Sequence, residues 1–184
     1  MPLAIPGFAA TTAAFVYDGV VRDLVLAVKY RRDRSALDWL VRGLAAAVDD
    51  PSRDAVVTWT PTTAERRRRR GVDQGELIAR RVAAELGLPA RSLLRRIGGA
   101  AQTGRSRAER ASGPEFVARR RVGSILVVDD VLTTGATLRS AAAALGVEGV
   151  VRLEAAVVAV ASGPSGPEGR DLRPRPGTER RAML

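Results

Sequence analysis

The chain of 184 residues contains no cysteine and no histidine, and its 30 basic residues outnumber its 20 acidic residues, giving a formal net charge of +10. These counts exclude disulfide frameworks, thiolate and imidazole zinc sites, cysteine nucleophiles and every catalytic triad that requires histidine. The charge favours an anionic partner, which could be a nucleic acid, an anionic lipid surface or a small phosphorylated molecule.

The first 60 residues are predicted to form two amphipathic helices and then a buried strand. Apolar residues recur at helical spacing, first at Val20, Leu24 and Val28 and then at Leu37, Leu40, Val41, Leu44 and Val48. A β-branched run over residues 55–60 is apolar on both faces, which is typical of a strand covered by helices on both sides.

A third helix is predicted to begin after Asp73 and to end before Gly87. Asp73 and Glu76 have the spacing of a capping box, and Pro89 follows Gly87 where a helix cannot continue. The apolar positions of this helix are Ile78, Val82 and Leu86. Beyond it, residues 98–114 are rich in Gly, Ser and Arg, which predicts a mobile loop of a length that is often functional.

The next segments are predicted to form a strand, a helix and a strand, over residues 124–129, Ala136–Leu145 and 153–160. Both strands are apolar on both faces, and the Ala-rich helix ends at Gly146. A strand, a helix and a second strand in this order form a right-handed parallel crossover. The chain is therefore predicted to be an α/β protein with a parallel twisted sheet flanked by helices.

The length predicts a single domain over residues 1–161. Residues 162–184 are dominated by Pro, Gly and Arg and are predicted to form a disordered tail. No signal peptide is evident, and no apolar run reaches the roughly 18 residues needed to cross a bilayer. We therefore expect a cytoplasmic protein without membrane insertion, while the sequence assigns no oligomeric state.

The stretch ILVVDDVLTTGATL, residues 125–138, places two carboxylates and a polar turn after a buried strand. Asp129 and Asp130 are expected where that strand ends, at the sheet edge where open parallel sheets bind ligands. The turn should open a helix whose first N–H groups lack intrahelical partners, and this arrangement, aided by the helix dipole, suits a phosphate. Neighbouring acids suit a diol, so the stretch predicts a ribose 5-phosphate site. The candidate phosphate-binding residues are Thr133, Thr134, Gly135, Ala136 and Thr137.

Acidic pairs at strand ends also occur in response-regulator receivers and in Walker B strands. A receiver would carry its acidic pair near the start of its domain, and a Walker B strand requires an upstream G-x-x-x-x-G-K-[ST] motif that this sequence lacks. A third alternative stays open, in which the turn is only a helix cap and the acids are only solvated.

Four apolar residues, two acids and a Thr-Thr-Gly-x-Thr loop resemble the signature of the type I phosphoribosyltransferases. The resemblance implies a fold of that type and a site for 5-phosphoribosyl 1-pyrophosphate (PRPP). It places Asp129 and Asp130 on the ribose 2′ and 3′ hydroxyls as catalytic residues, and the loop on the 5′-phosphate. It also implies magnesium, carried on the pyrophosphate rather than held directly by the protein.

Three further segments resemble, in order, the ComF family of competence-protein-like relatives of these enzymes: LVLAVKYRRDRS, TPTTAERRRRRGVDQGELIARRVA and QTGRSRAER. The likeness covers residues 15–161. The matching positions are Lys29 and Tyr30 in a Lys-Tyr pair, Pro61 after a strand, Arg70, Gly71 and Gln74 in an Arg-Gly-x-x-Gln motif, and Gln102, Glu109 and Arg110 in a mobile loop.

The sequence also departs from that family. Members commonly carry an N-terminal four-cysteine zinc module, for which this sequence has no cysteines. They usually have Phe-Asn in place of Val72 and Asp73, leucine in place of Arg105 and asparagine in place of Gly113. These departures bear on the acceptor and on turnover, because the PRPP motif itself is complete.

The resemblance implies pyrophosphate contacts from Lys29, Pro61 and Thr62. Among the five arginines at residues 66–70, Arg70 is the candidate catalytic residue, since a guanidinium can bind pyrophosphate with two hydrogen bonds. The other arginines are expected to form a solvated basic face. Lys29 has an alternative role, because a lysine at a helix C-terminus also stabilises the helix dipole. Gln102 and Arg110 would suit a lid over a reacting anion.

Two functions follow from these features. The first is a magnesium-dependent phosphoribosyltransferase that binds PRPP or a related sugar phosphate and acts on an unidentified acceptor. The second, which the competence resemblance implies, is a noncatalytic PRPP-like or single-stranded DNA-binding module. Its partners would be single-stranded DNA or proteins of DNA uptake, and the arginine-rich face would supply the charge.

Overall fold

The computed structural model describes residues 1–49, 51–97, 114–119, 123–146 and 150–161. Gln102, Arg110 and the tail predicted over residues 162–184 lie outside the described residues. The backbone of Arg70 is described, whereas its side chain is not.

A five-stranded sheet forms the centre of the fold. Its strands are β1 (Pro2–Leu3), β2 (Ala10–Val16), β3 (Val56–Trp59), β6 (Ser124–Leu132) and β7 (Arg152–Val160). They lie in the order β1-β2-β7-β6-β3; the last four are mutually parallel, and β1 runs antiparallel to β2. Two further strands, β4 (Leu94–Ile97) and β5 (Glu115–Ala118), pair antiparallel with each other as a separate ribbon.

Helices cover both faces of the sheet. They are α1 (Gly19–Leu26), α2 (Arg34–Ala47), α3 (Ala64–Arg70), α4 (Gln74–Leu86) and α5 (Ala136–Leu145), and a π-helical turn, Ala27–Arg31, follows α1. Leu126 and Val128 of β6 pack under α1, α2 and α4, while Ile125 and Val127 pack under α5 and the ribbon. Successive side chains of a strand point to opposite faces, so a strand covered on both sides must be apolar throughout. The predicted α/β class is confirmed.

The structure corrects the predicted face of the first helix. Val20 is 71% exposed, whereas Val25 and Val28 are buried and Val21 packs against the core. The buried face therefore begins one residue later than the sequence suggested, because Val21, Leu24, Val25 and Val28 have the i, i+3, i+4, i+7 spacing of a helical stripe.

Four strands were not predicted. Strand β2 reads ATTAAFV and lacks the continuous β-branched run that marked the other parallel strands, while β1 has only two residues. The ribbon strands, LRRI and EFVA, mix apolar and charged residues over four positions each. Tertiary pairing stabilises these segments despite their weak local pattern. Within the described ranges, no helix is long and apolar enough to cross a membrane.

Candidate active site

The two acids lie where β6 extends beyond its neighbour β3. The last paired residues of these strands are Trp59 and Val128, but β6 continues to Leu132 alongside β7. Asp129 and Asp130 therefore lie inside a strand, not at its end as predicted, because pairing with β7 continues after β3 has stopped. They are nevertheless the first residues of β6 beyond the end of β3, so they border the step in the sheet edge.

Asp129 is hydrogen-bonded and only partly accessible. Its Oδ1 accepts a hydrogen bond from the backbone N–H of Asp130 at 2.9 Å, and the Thr60 hydroxyl, just after β3, donates another. Burial and then the neighbouring Asp130 carboxylate raise the pKa of Asp129 from 3.8 to about 7, although these hydrogen bonds and Lys29 act in the opposite direction. Asp129 can therefore accept or donate a hydrogen bond near neutral pH.

Asp130 forms an ion pair that the sequence did not predict. Its Oδ2 lies 2.6 Å from Lys29 Nζ, with 19% of the lysine side chain and 24% of the aspartate side chain exposed. Its Oδ1 accepts from the backbone N–H of Val131 at 2.6 Å. Because consecutive strand residues point to opposite faces, Asp130 lies on the α4 side of the sheet and Asp129 on the α5 side. Lys29 thus joins the site through Asp130.

The segment that follows β3 contains Pro61 and Thr62, and the start of α4 holds it in place. Asp73 is 8% exposed; its Oδ2 accepts from the Thr62 N–H at 3.0 Å, and its Oδ1 accepts from the Glu76 N–H at 3.4 Å. The cap of α4 that the sequence predicted is confirmed, but the bond to Thr62 was missed. Asp73 therefore fixes the candidate pyrophosphate segment as well as its own helix.

Gly75, near the start of α4, lies close to the segment that follows β3. A Cβ there would lie 3.3 Å from the Thr60 carbonyl oxygen and 3.4 Å from Asp73 Oδ1. A side chain at position 75 would therefore be tight against the Thr60 carbonyl oxygen, which must shift by a few tenths of an ångström to accept it.

The turn after β6 has the predicted form. Thr133 and Thr134 are exposed, Gly135 has φ 74° and ψ 2°, and α5 begins at Ala136. The first N–H groups of a helix have no intrahelical acceptors, and the Ala136 N–H makes only a long 3.4 Å contact with Thr134 Oγ1. The turn therefore offers main-chain donors and the positive end of a ten-residue helix to an anion.

Arg139 belongs to this turn but was not singled out from the sequence. Its Nη1 donates to the Thr134 carbonyl oxygen at 2.8 Å and would lie 3.0 Å from a Cβ at Gly135. Its position could have indicated this contact, because Arg139 lies four residues after Gly135 and therefore on the same face of the helix, one turn further on.

The remaining candidates fall outside this geometry. The Arg70 backbone ends α3, but its side chain, like Gln102 and Arg110, is not among the described residues. Among the described residues, no group of three or more acidic side chains is placed to hold a metal ion. The two acids therefore do not form a metal site by themselves.

A second feature adjoins the segment after β3. A groove of about 1190 Å³ runs between α3 and the β4–β5 ribbon and includes Pro61 and Thr62 in its lining. Its arginines are Arg67, Arg68, Arg95, Arg96 and Arg119. Its carboxylates are Glu65, Asp73 and Glu76, so the arginines outnumber the acids and the groove is net basic.

Comparison with known proteins identifies the family. The phosphoribosyl transferase domain model matches residues 72–173, more than half of the chain and the part that contains the acids and the turn. No curated protein shows significant similarity to the sequence.

Solved structures with a similar arrangement include adenine phosphoribosyltransferase from Leishmania tarentolae, at 17% identity and a TM-score of 0.45 over 87% of this chain and 79% of that one. The enzyme from Leishmania donovani matches at 17% identity and a TM-score of 0.41, over 87% and 72% of the two chains. The domain match alone is decisive, and the chain belongs to the phosphoribosyl transferase domain family.

Proposed function

We propose that the protein binds PRPP with magnesium and transfers its phosphoribosyl group to an acceptor. The observation that carries the proposal is the Gly135 turn, which opens α5 beside two acids at the step in the sheet edge. Few ligands need a phosphate cradle and a diol acceptor so close together, and a ribose 5-phosphate is one that does. Within this proposal, the resemblance of three sequence segments to the ComF family supports a competence-protein-like member of the family.

The turn would bind the 5′-phosphate. The exposed hydroxyls of Thr133 and Thr134 and the main-chain N–H groups of Ala136 and Thr137 supply donors, and the α5 dipole supplies partial positive charge. The acids would bind the ribose, because each carboxylate retains lone pairs beyond those used by its main-chain N–H donor.

Catalysis by this site would consist of positioning and electrostatic stabilisation. As pyrophosphate leaves, positive charge develops on the ribose ring, and an ionised carboxylate beside the ring stabilises that charge. Asp73 keeps the Pro61–Thr62 segment fixed at the side where the pyrophosphate would depart. Magnesium, bound through pyrophosphate oxygens, would neutralise charge on the leaving group.

Calorimetric titration with PRPP and magnesium chloride tests the proposal. We expect saturable binding by the wild type and about fivefold weaker binding by Thr134→Ala, since one hydroxyl hydrogen bond to a charged group is lost. Ser35→Ala is the matched control, because it removes an exposed hydroxyl from the first turn of a different helix. Absence of PRPP binding by the wild type would refute the assignment of the pocket.

The arginine groove supports a second candidate function, the binding of single-stranded DNA. In the part of the chain that the structure describes, no ion pair engages Arg67, Arg68, Arg95 or Arg119, so their guanidinium groups remain available to phosphates. The aromatic residues Trp59 and Phe116 near the groove are buried, which favours contacts with the phosphate backbone over base stacking.

Salt dependence tests this second function. Arg67→Ala and Arg95→Ala should each reduce the slope of log affinity against log salt for an oligothymidine strand by about 0.7, the value expected for one lost phosphate contact. Arg53→Ala, at an exposed position outside the groove, should leave the slope unchanged. A salt-independent affinity, or equal slopes for all four proteins, would argue against DNA binding in the groove.

A further inference from the structure

Lys29 is the only lysine of the chain, and its backbone conformation is unusual. It lies in the π-helical turn Ala27–Arg31, which ends at Arg32, a residue in the left-handed region with φ 54°. Short π-helical segments are uncommon and often occur at functional sites, and a non-glycine residue at positive φ is strained. The surrounding structure must therefore stabilise this turn.

Gln74 supplies part of that stabilisation from 46 residues away. Its Nε2 donates to the Val28 carbonyl oxygen at 3.1 Å, and both residues are buried. Gln74 is also the first residue of α4, directly after Asp73, which holds the segment following β3. The start of α4 therefore fixes two parts of the candidate site in relation to each other.

The environment of Lys29 directs its ammonium toward Asp130. A narrow space beside the pair is lined by Lys29, Asp130, the uncharged Gln74 and apolar side chains, and the apolar residues are Val25, Val28, Leu40, Ile78 and Val158. A charge beside apolar walls has few other partners, so the 2.6 Å ion pair is a favoured arrangement.

We propose that Lys29 is a positioning residue for the acid pair: its ammonium balances the Asp130 carboxylate, and Gln74 braces the turn that carries it. Lys29 thereby keeps Asp129 available in its ionised form for the sugar. The inference deepens the proposed function, because it assigns Lys29 to the ribose side of the site instead of to the pyrophosphate.

The charges around Asp129 explain the effect. Burial contributes most to the raised pKa of Asp129, and the Asp130 carboxylate contributes next. The hydrogen bonds from the Asp130 N–H and the Thr60 hydroxyl, and then the Lys29 charge, lower that pKa. The other elements that pack around the Lys29–Asp130 pair contribute the uncharged Gln74 and the apolar residues named above. Loss of the Lys29 charge leaves the repulsion by Asp130 uncompensated, so the pKa of Asp129 should rise further.

The first test needs no ligand. Carboxyl ¹³C NMR titration of the full chain should show Asp129, assigned by its loss in Asp129→Asn, with a midpoint of about 7 in the wild type. In Lys29→Met the midpoint should rise by about one pH unit. The Asp129 midpoint of Lys29→Arg should stay near that of the wild type. Gln74→Leu should raise the Asp129 midpoint, as Lys29→Met does, and this variant provides the test if Lys29→Met does not fold.

Arg31→Met is the matched control, because Arg31 is an exposed cation in the same turn. Its midpoint should equal that of the wild type. If Lys29→Met moves the Asp129 midpoint no further than Arg31→Met does, the proposal is overturned.

The second test uses ribose 5-phosphate as the probe. A midpoint one unit higher reduces the ionised fraction of Asp129 at pH 7 about fivefold, so Lys29→Met should bind about fivefold more weakly than the wild type there and nearly equally at pH 9. Magnesium pyrophosphate should bind both proteins equally. A pH-independent deficit, or a parallel loss of pyrophosphate affinity, would overturn the positioning role. If the wild type does not bind ribose 5-phosphate while the NMR shift is observed, the proposed function fails and the effect of Lys29 on the acids stands.

Discussion

Gly135→Val should abolish measurable binding of ribose 5-phosphate, a loss of more than about a hundredfold, while reducing stability by about 1–2 kcal/mol. The stability loss follows from φ 74°, which a β-branched side chain tolerates poorly. The binding loss has a separate cause. A Cβ at Gly135 would lie 3.0 Å from Arg139 Nη1 and 3.2 Å from Ile5 Cδ1, so these two side-chain ends must shift, and the turn loses the hydrogen bond from Arg139 to the Thr134 carbonyl oxygen that supports it.

Gly87→Val separates these two causes. Gly87 ends α4 with φ 67°, which imposes similar backbone strain, but a Cβ there meets nothing within 4 Å. This variant should therefore lose a similar amount of thermal stability and retain wild-type affinity for ribose 5-phosphate. Calorimetric affinities and melting temperatures of the three proteins provide the measurement. Equal affinities for Gly135→Val and the wild type would mean that the turn does not bind the phosphate.

Asp129→Asn should weaken sugar binding and yet stabilise the protein at neutral and higher pH. The pKa of Asp129 is about 7 in the folded protein and 3.8 as its ordinary value. The folded state therefore favours the protonated form, and its stability relative to the unfolded chain falls as the pH rises from about 4 to about 7. Asparagine avoids this loss because it carries no charge and can still accept the hydrogen bond from the Asp130 N–H.

The expected gain is about 4 kcal/mol above pH 7, decreasing to near zero at pH 4, since one pKa unit corresponds to about 1.4 kcal/mol. Melting temperatures of the two proteins across this pH range measure it. Asp130→Asn is the contrasting variant: it leaves the Lys29 ammonium without its carboxylate partner and should destabilise the protein. Identical melting curves for Asp129→Asn and the wild type at pH 8 would show that the ionised Asp129 carboxylate does not destabilise the folded protein.

A stabilising substitution at Asp129 would be consistent with its role in the proposed ribose site. A partly buried carboxylate next to another carboxylate reduces the free energy of unfolding. Such a cost is typical of sites where the charge contributes to ligand binding. The alternative in which the turn is only a helix cap and the acids are only solvated does not account for the ion pair that Asp130 forms with Lys29.

Features that depend only on neighbouring residues could be predicted before the fold was known. The caps of α4 at Asp73 and Gly87, the turn at Gly135 and the buried strands β3, β6 and β7 all follow from local patterns, and all were predicted. Such features are decided within a few residues, because capping, positive φ and two-sided burial are local requirements.

The contacts between side chains at the site could not be predicted in this way, because they depend on how the elements pack. The Lys29–Asp130 ion pair, the Thr60–Asp129 hydrogen bond and the support of Val28 by Gln74 each join elements that are distant in sequence. Strand register and helix packing determine those meetings. The raised pKa of Asp129 has the same origin, since burial and the balance of neighbouring charges arise only once the sheet and its helices have assembled.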